Sequence, residues 1–130
     1  MRRKDGFTVI ELLLAIVLLG ALAVLLVTQK NNLDAQQRDN QRKIAINAMY
    51  YDLERFYYPT HNSYPDHINS GVLTAMDPSL FSDPNGVKLG ESGANYRYIP
   101  TNCENGECKS YSLRATMQRE GDYVKTSLNS

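Results

Sequence analysis

The apolar positions of this chain fall into three regimes. From Phe7 to Val27 the sequence reads FTVIELLLAIVLLGALAVLLV, and only Thr8, Glu11 and Gly20 interrupt it. As a helix this stretch spans about 32 Å, close to the hydrocarbon thickness of a bilayer. From 28 to 43 the pattern inverts. TQKNNLDAQQRDNQRK holds only Leu33 and Ala35 as apolar positions, without Pro or Gly. The helix is therefore expected to continue as a solvated stalk of mixed charge, with Arg38, Arg42 and Lys43 on a solvated face. From Ile44 a 3–4 spacing returns, with Ile46, Met49, Leu53 and Phe56 or Tyr57 on one face. Tyr50, Tyr51, Tyr57 and Tyr58 read as core and rim packing. Pro59 is expected to end the helix, because the residue before a proline disfavours the α region. The pattern thus predicts one helix of about 50 residues, roughly 75 Å long, from Phe7 to about Tyr58.

Residues 59–94 are rich in Pro, Gly, Asn, Ser and Asp and read as a long loop, with a short helix expected around Ser70 to Met76. From 95 onward the period becomes two. Tyr96 and Tyr98 alternate with Arg97 and Ile99, and Tyr111, Leu113, Ala115 and Met117 alternate with Ser112, Arg114, Thr116 and Gln118. After a turn at Glu120-Gly121-Asp122, Tyr123 to Thr126 reads as a third strand. The expected fold is α+β: a long N-terminal helix packed on a small three-stranded antiparallel sheet.

Composition sharpens the first regime. The chain has 130 residues, of which 55 are hydrophobic, and 18 of those lie in the 21 residues from Phe7 to Val27. That excludes an ordinary soluble domain with an evenly sourced core. It also excludes a polytopic membrane protein, since no second run approaches spanning length. Fourteen Lys+Arg balance fourteen Asp+Glu, so the clustered positive charge of a nucleic-acid binder is missing and no specific nucleic acid is expected. Arg2, Arg3 and Lys4 precede the apolar run. The positive-inside rule keeps them cytoplasmic and sends the rest across the membrane. A conventional secretory signal fits poorly, because the run is too long and no small-x-small cleavage site follows it.

Two features depart from a plain anchor. Glu11 sits inside the run, where a carboxylate costs on the order of 2.5–3.5 kcal/mol by insertion scales, so it requires a partner or a proton. Gly6, directly before Phe7, leaves the backbone open to close approach by a protease. The stretch Lys4-Asp5-Gly6-Phe7-Thr8-Val9-Ile10-Glu11-Leu12-Leu13 resembles the class III signal of type IV prepilins and pseudopilins. The resemblance implies cleavage between Gly6 and Phe7 by prepilin peptidase on the cytoplasmic side, and N-methylation of Phe7. It also implies an assembly role for Glu11, whose carboxylate would pair with the new amine of Phe7 on a neighbouring subunit. A buried pair of that kind is a better register device than a source of stability. Gly20, Ala21 and Ala23 would allow close helix approach. Many relatives carry a proline near the end of this stretch. None stands here, so no proline-induced break is expected.

The resulting plan is a leader at 1–6, a transmembrane and filament-core helix at 7–27, its amphipathic continuation at 28–58, an αβ loop at 59–94 and a sheet at 95–130. Ser63-Tyr64-Pro65, Asp83-Pro84-Asn85-Gly86 and Tyr96-Arg97-Tyr98 resemble the loop and first strand of pseudopilin heads, some of which bind calcium through loop oxygens. Asp77, Asp83, Asn85 and Glu91 are weak calcium candidates; they match no EF-hand spacing and read better as turn formers. In Cys103-Glu104-Asn105-Gly106-Glu107-Cys108, Asn-Gly is the preferred type I′ pair. Glu104 and Glu107 then flank the turn, and Cys103 and Cys108 face each other at the next, non-hydrogen-bonded pair, at a separation that suits a disulfide. A zinc site would need His61 and His67 to assist, and nothing in their spacing supports one. No cofactor and no enzyme activity are expected.

The function expected is a structural subunit of a bacterial type IV pilus-like surface filament, serving motility, adhesion or DNA uptake. Its partners would be identical or related pilin subunits, prepilin peptidase and an assembly platform at the cytoplasmic membrane. It would lie in that membrane before assembly and in an extracellular pilus or a periplasmic or cell-wall pseudopilus afterwards. A type II secretion or competence pseudopilin is the alternative within the family. A signal-anchored receptor or adhesin that never polymerises is the alternative outside it; Glu11 and the Gly6–Phe7 junction argue against that.

Overall fold

The computed structural model describes residues 6–129. Residues 1–5, with Arg2, Arg3 and Lys4 of the expected leader, lie outside the described residues. The chain divides into two compact units, Met1–Ala35 and Gln36–Ser130. Helix α1 covers Val9–Asp52 and contributes to both. In the first unit every side chain from Phe7 to Val27 is exposed. This is a helix long and apolar enough to cross a bilayer.

In the second unit α1 supplies the core with Ala45, Ile46, Met49 and Leu53, each at most 1% exposed. The sheet faces them with Tyr96, Tyr111, Leu113 and Ala115. Period-3.6 and period-2 stripes thus meet as the pattern predicts. The strands are β1 (Tyr64–Pro65), β2 (Tyr96–Glu104), β3 (Glu107–Ala115) and β4 (Tyr123–Thr126). All pairings are antiparallel, and β3 is the hub. β2 runs along one edge of it, while β4 and β1 share the other, β4 at Ser112–Ala115 and β1 at Glu107–Cys108.

The fold is α+β, with four strands among the described residues rather than the three expected. The addition is β1, which pairs Tyr64 with Cys108. Two residues carry no alternation, and the partner lies far along the chain, so no local pattern marks it. Pro59 does not end the helix. Leu53–Tyr57 form a π-helical turn, after which Tyr58–His61 make a further α-helical turn, α2. Pro59 sits at the start of that turn, where its missing N–H is tolerated. The helix stops at Asn62, whose φ of 54° is left-handed and whose N–H donates to the Tyr58 carbonyl at 2.7 Å. The π turn also settles the choice between Phe56 and Tyr57. Its wider step buries Asp52, Leu53 and Glu54 in succession, leaves Tyr57 half-buried and turns Phe56 out to 60% exposure.

The short helix expected at Ser70 to Met76 is absent; a 3₁₀ turn occupies Pro78–Phe81 instead. Side-chain oxygens decide this. Asn69 Oδ1 accepts the N–H groups of Gly71 and Val72, holding that segment as a turn, and Asp77 Oδ1 accepts the Ser79 N–H and caps the 3₁₀ turn.

Candidate processing and assembly site

Gly6 and Phe7 precede α1 without regular structure, and Phe7 is 88% exposed. A Cβ added at Gly6 would meet nothing within 4 Å. The backbone on both sides of the expected cut is therefore open. Thr8 and Glu11 close the helix start. The Thr8 N–H donates to Glu11 Oε2 at 3.0 Å, its hydroxyl donates to the same oxygen at 3.1 Å, and the Glu11 N–H donates to Thr8 Oγ1 at 3.4 Å. This reciprocal capping box satisfies donors that the first turn would otherwise leave orphaned. The carboxylate also lies at the positive end of the helix dipole. Thr-x-x-Glu before an apolar run is itself a sequence signature of a helix start, and Thr8 and Glu11 carry it here.

In the second unit, buried charge replaces the solvated face expected around Arg42. Arg42 is 1% exposed. Its Nε donates to Asp83 Oδ1 at 2.6 Å and its Nη1 to Asp39 Oδ1 at 2.9 Å. Asp83 also accepts the Asn85 N–H and the Asn95 amide, both at 3.0 Å. Asp39 accepts the N–H groups of Gln118 and Arg119. Burial pushes both carboxyls up, yet these donors and Arg42 hold Asp39 and Asp83 below their ordinary values. The Asp83 hydrogen bond raises Arg42 in turn, against the cost of its burial. Arg38 and Lys43 do reach solvent, bonding Gln118 and Glu120. The helical period marks which face Arg42 occupies; it does not reveal that two acidic partners arrive there.

Buried carboxylates also occur beyond this network. Glu54, aimed inward by the π turn, accepts the hydroxyls of Tyr64 and Tyr111 and the Leu128 N–H. Burial, with this bond to Glu54, pushes the Tyr111 hydroxyl well above the usual phenol range.

Cys103 and Cys108 form a disulfide. They pair across the hairpin with Glu104 opposite Glu107 beside the turn. Asn105 and Gly106, with φ of 52° and 82°, make the turn as a type I′ pair requires. Asp77 and Glu91 bind neighbouring backbone N–H groups, and Asp83 faces Arg42. Among the described residues no three of His, Cys, Asp and Glu gather as a metal site. His61 stacks on Tyr57 at 4.0 Å, and His67 pairs with Asp66 at 2.5 Å.

The decisive observation is at the N-terminus. Residues 1–27 match the family model for the prokaryotic N-terminal methylation motif. This is a class III prepilin signal. The methylation motif points to a type IV pilin-like or pseudopilin precursor, and hence to a structural protein rather than an enzyme. Together with the apolar helix that it overlaps from Val9 onward, it fits anchoring in a membrane. In general terms, such a motif implies processing by prepilin peptidase and association with pilin subunits. No curated protein and no solved structure matches the chain.

Proposed function

We propose that this chain is a structural subunit of a bacterial type IV pilus-like surface filament. Prepilin peptidase would cut between Gly6 and Phe7 and methylate the new N-terminus. Subunits would then leave the membrane by stacking their apolar helices side by side while the second units tile the outside. The observation that carries this reading is the methylation motif joined to a helical stretch, up to Val27, whose apolar side chains are all exposed. An exposed apolar surface of that length requires lipid or other such helices around it. Glu11 fits the same picture. Its capping box holds a carboxylate at the start of the helix, where the amine of a neighbouring Phe7 would meet it.

Intact mass and N-terminal sequence of the native protein test this, measured in whole cells and in material sheared from the surface. The expected result is a methylated chain beginning at Phe7 in the sheared fraction. A processed chain confined to the cell envelope would favour the pseudopilin alternative. A chain still beginning at Met1 in membranes alone would overturn the filament reading.

A further inference from the structure

The second unit carries a recess of about 330 Å³ between α1 and the αβ loop. Ile44 and Ala45 of α1, with Leu80 and Pro84 of the loop, give it apolar walls, and Tyr96 reaches it from β2. Tyr96 is the anomaly there. Among the described residues three tyrosines are buried, Tyr64, Tyr96 and Tyr111. Tyr64 and Tyr111 donate their hydroxyls to Glu54. Tyr96 is 2% exposed, yet its hydroxyl bonds no protein group among the described residues. A buried phenol ordinarily finds a partner, and one without a partner forfeits the bonds that water gave it in the unfolded chain.

Among the described residues no sealed side-chain nitrogen or oxygen is left without a partner, so the Tyr96 hydroxyl touches an opening. Burial pushes it up to about 12, with the Asp83 charge acting in the same direction and the Arg42 charge against it. Gln41, Ser82 and Pro84, the chain neighbours of those two charged residues, line the recess. A second recess, along residues 89–99, touches Tyr96 but holds no such neighbour. The phenol is thus aimed into an apolar recess with one hydrogen bond to give and others to accept. The same unit exposes a group that fits it. All nine tyrosines lie among the described residues, and Tyr51 alone is exposed, at 59%. Its ring meets Tyr50 edge-on, and its hydroxyl bonds no protein group among the described residues. Phe56 is equally exposed but has no hydroxyl to offer.

We propose that Tyr51 of one subunit inserts into the Tyr96 recess of a second copy, its ring against Ile44, Leu80 and Pro84 and its hydroxyl bonded to that of Tyr96. This contact rests on the proposed filament and names a side-chain pair that joins neighbouring second units. It spends two hydroxyls that the subunit alone leaves idle. Tyrosine is well suited to the task, because a ring in a desolvated pocket anchors an interface at little entropic cost. Tyr51 and the recess are different patches of one unit, so the contact is heterologous. Such a contact leaves each copy with a free recess at one end and a free Tyr51 at the other, and it propagates along a filament unless the rotation closes a ring. Tyr51 stands seven residues beyond Ile44 on α1. An axial offset of about 10 Å between parallel neighbours brings it level with the recess wall.

The test uses the full chain in cells that make it, with Tyr51 replaced by p-azidophenylalanine, which keeps the ring. Illumination of sheared filament is expected to give a covalent dimer on denaturing gels, with the bridge mapped by mass spectrometry to residues 41–45 or 79–84 of the other chain. Tyr51→Ala is expected to lower sheared filament about tenfold. Processed subunit in the membrane and its melting temperature should stay unchanged, because Tyr51 is exposed. Tyr96→Phe is expected to lower filament about fivefold without loss of subunit stability, since it removes no bond inside the subunit. Adding Tyr51→Phe to Tyr96→Phe should cost nothing further, because both changes remove one and the same hydrogen bond. Filament that gives no dimer, or a dimer bridged elsewhere, would overturn the contact and leave the filament reading standing. So would normal filament from Tyr51→Ala, or additive losses in the double variant. Wild-type cells that shed no filament would overturn both.

Discussion

Arg42 Nε lies 2.6 Å from Asp83 Oδ1, with side-chain exposures of 1% and 0%. The pair joins α1 to the αβ loop, and Asp39 extends it to the backbone at Gln118 and Arg119. A buried pair of this kind gains little over an apolar replacement, but breaking it leaves an uncompensated charge. Arg42→Ala is therefore expected to destabilise the second unit by about 3–5 kcal/mol. Arg42→Met with Asp83→Leu is expected to recover part of that loss. Denaturant unfolding of the full chain in micelles checks both. A loss in Arg42→Ala of the size typical for a surface ion pair, about 1 kcal/mol or less, would contradict the burial argument.

Acid should loosen the same region. Asp39 and Asp83 are held below their unfolded values. A depressed carboxyl stabilises the fold above its unfolded pKa, about 3.9, and that contribution disappears as pH falls through the lower folded value. Asp52 has the opposite sign. Burial raises it, although the Ala75 N–H partly offsets the shift. Its charge therefore opposes folding once pH rises past the unfolded value. Asp52→Asn is expected to raise the melting temperature at pH 7, with the gain vanishing below about pH 4. Melting curves from acid to neutral pH separate the two signs.

Glu11 has two expected tasks, capping its own helix and meeting the Phe7 amine of a neighbour. Thr8→Val removes the hydroxyl half of the capping box and leaves the Glu11 carboxylate. Glu11→Ala removes both tasks. We expect Glu11→Ala to be processed normally yet to give little filament, and Thr8→Val to retain much more. Quantifying sheared filament against processed subunit checks this. Equal yields from wild type and Glu11→Ala would sink the pairing role.

Gly6→Val is expected to block maturation. The open backbone at this position would acquire a branched side chain where the peptidase must approach. The readout is gel mobility with intact mass. A processed band of normal abundance would show that this approach tolerates a side chain.

The Cys103–Cys108 bridge closes a short loop whose entropy in the unfolded chain is worth about 2 kcal/mol in the loop-closure treatment. Replacing both cysteines by serine should lower stability by that order. Cys108 is fully buried while Cys103 is exposed, so Cys108→Ser places a hydroxyl in the core and is expected to be the costlier single change. Free-thiol titration and thermal melts of the variants measure it.

Much was readable from the chain alone, because those features rest on neighbours within a few residues. The apolar run from Phe7 to Val27 specifies a helix long and apolar enough to cross a bilayer. Gly6, Phe7 and Glu11 stand at fixed spacing inside the stretch that matches the methylation motif. The stripe of Ile46, Met49 and Leu53 and the alternation of Tyr111, Leu113 and Ala115 mark the faces that meet in the core. Asn105-Gly106 sets the register that brings Cys103 to Cys108.

Only the tertiary structure decided the rest, and in each instance a distant partner overrode a local preference. Arg42 reads as a solvated stalk residue until Asp83 arrives from the αβ loop and supplies the charge that burial demands. Glu54 is tolerable inside because hydroxyls from Tyr64 and Tyr111 reach it from two strands. Tyr64–Pro65 become a strand because β3 offers an open edge at Glu107 and Cys108. Pro59 continues the helical path because a π turn before it changes which backbone groups need partners. Periodicity records which residues leave water. It carries no record of which polar groups will meet there, and burying a polar or charged group is affordable only when that meeting occurs.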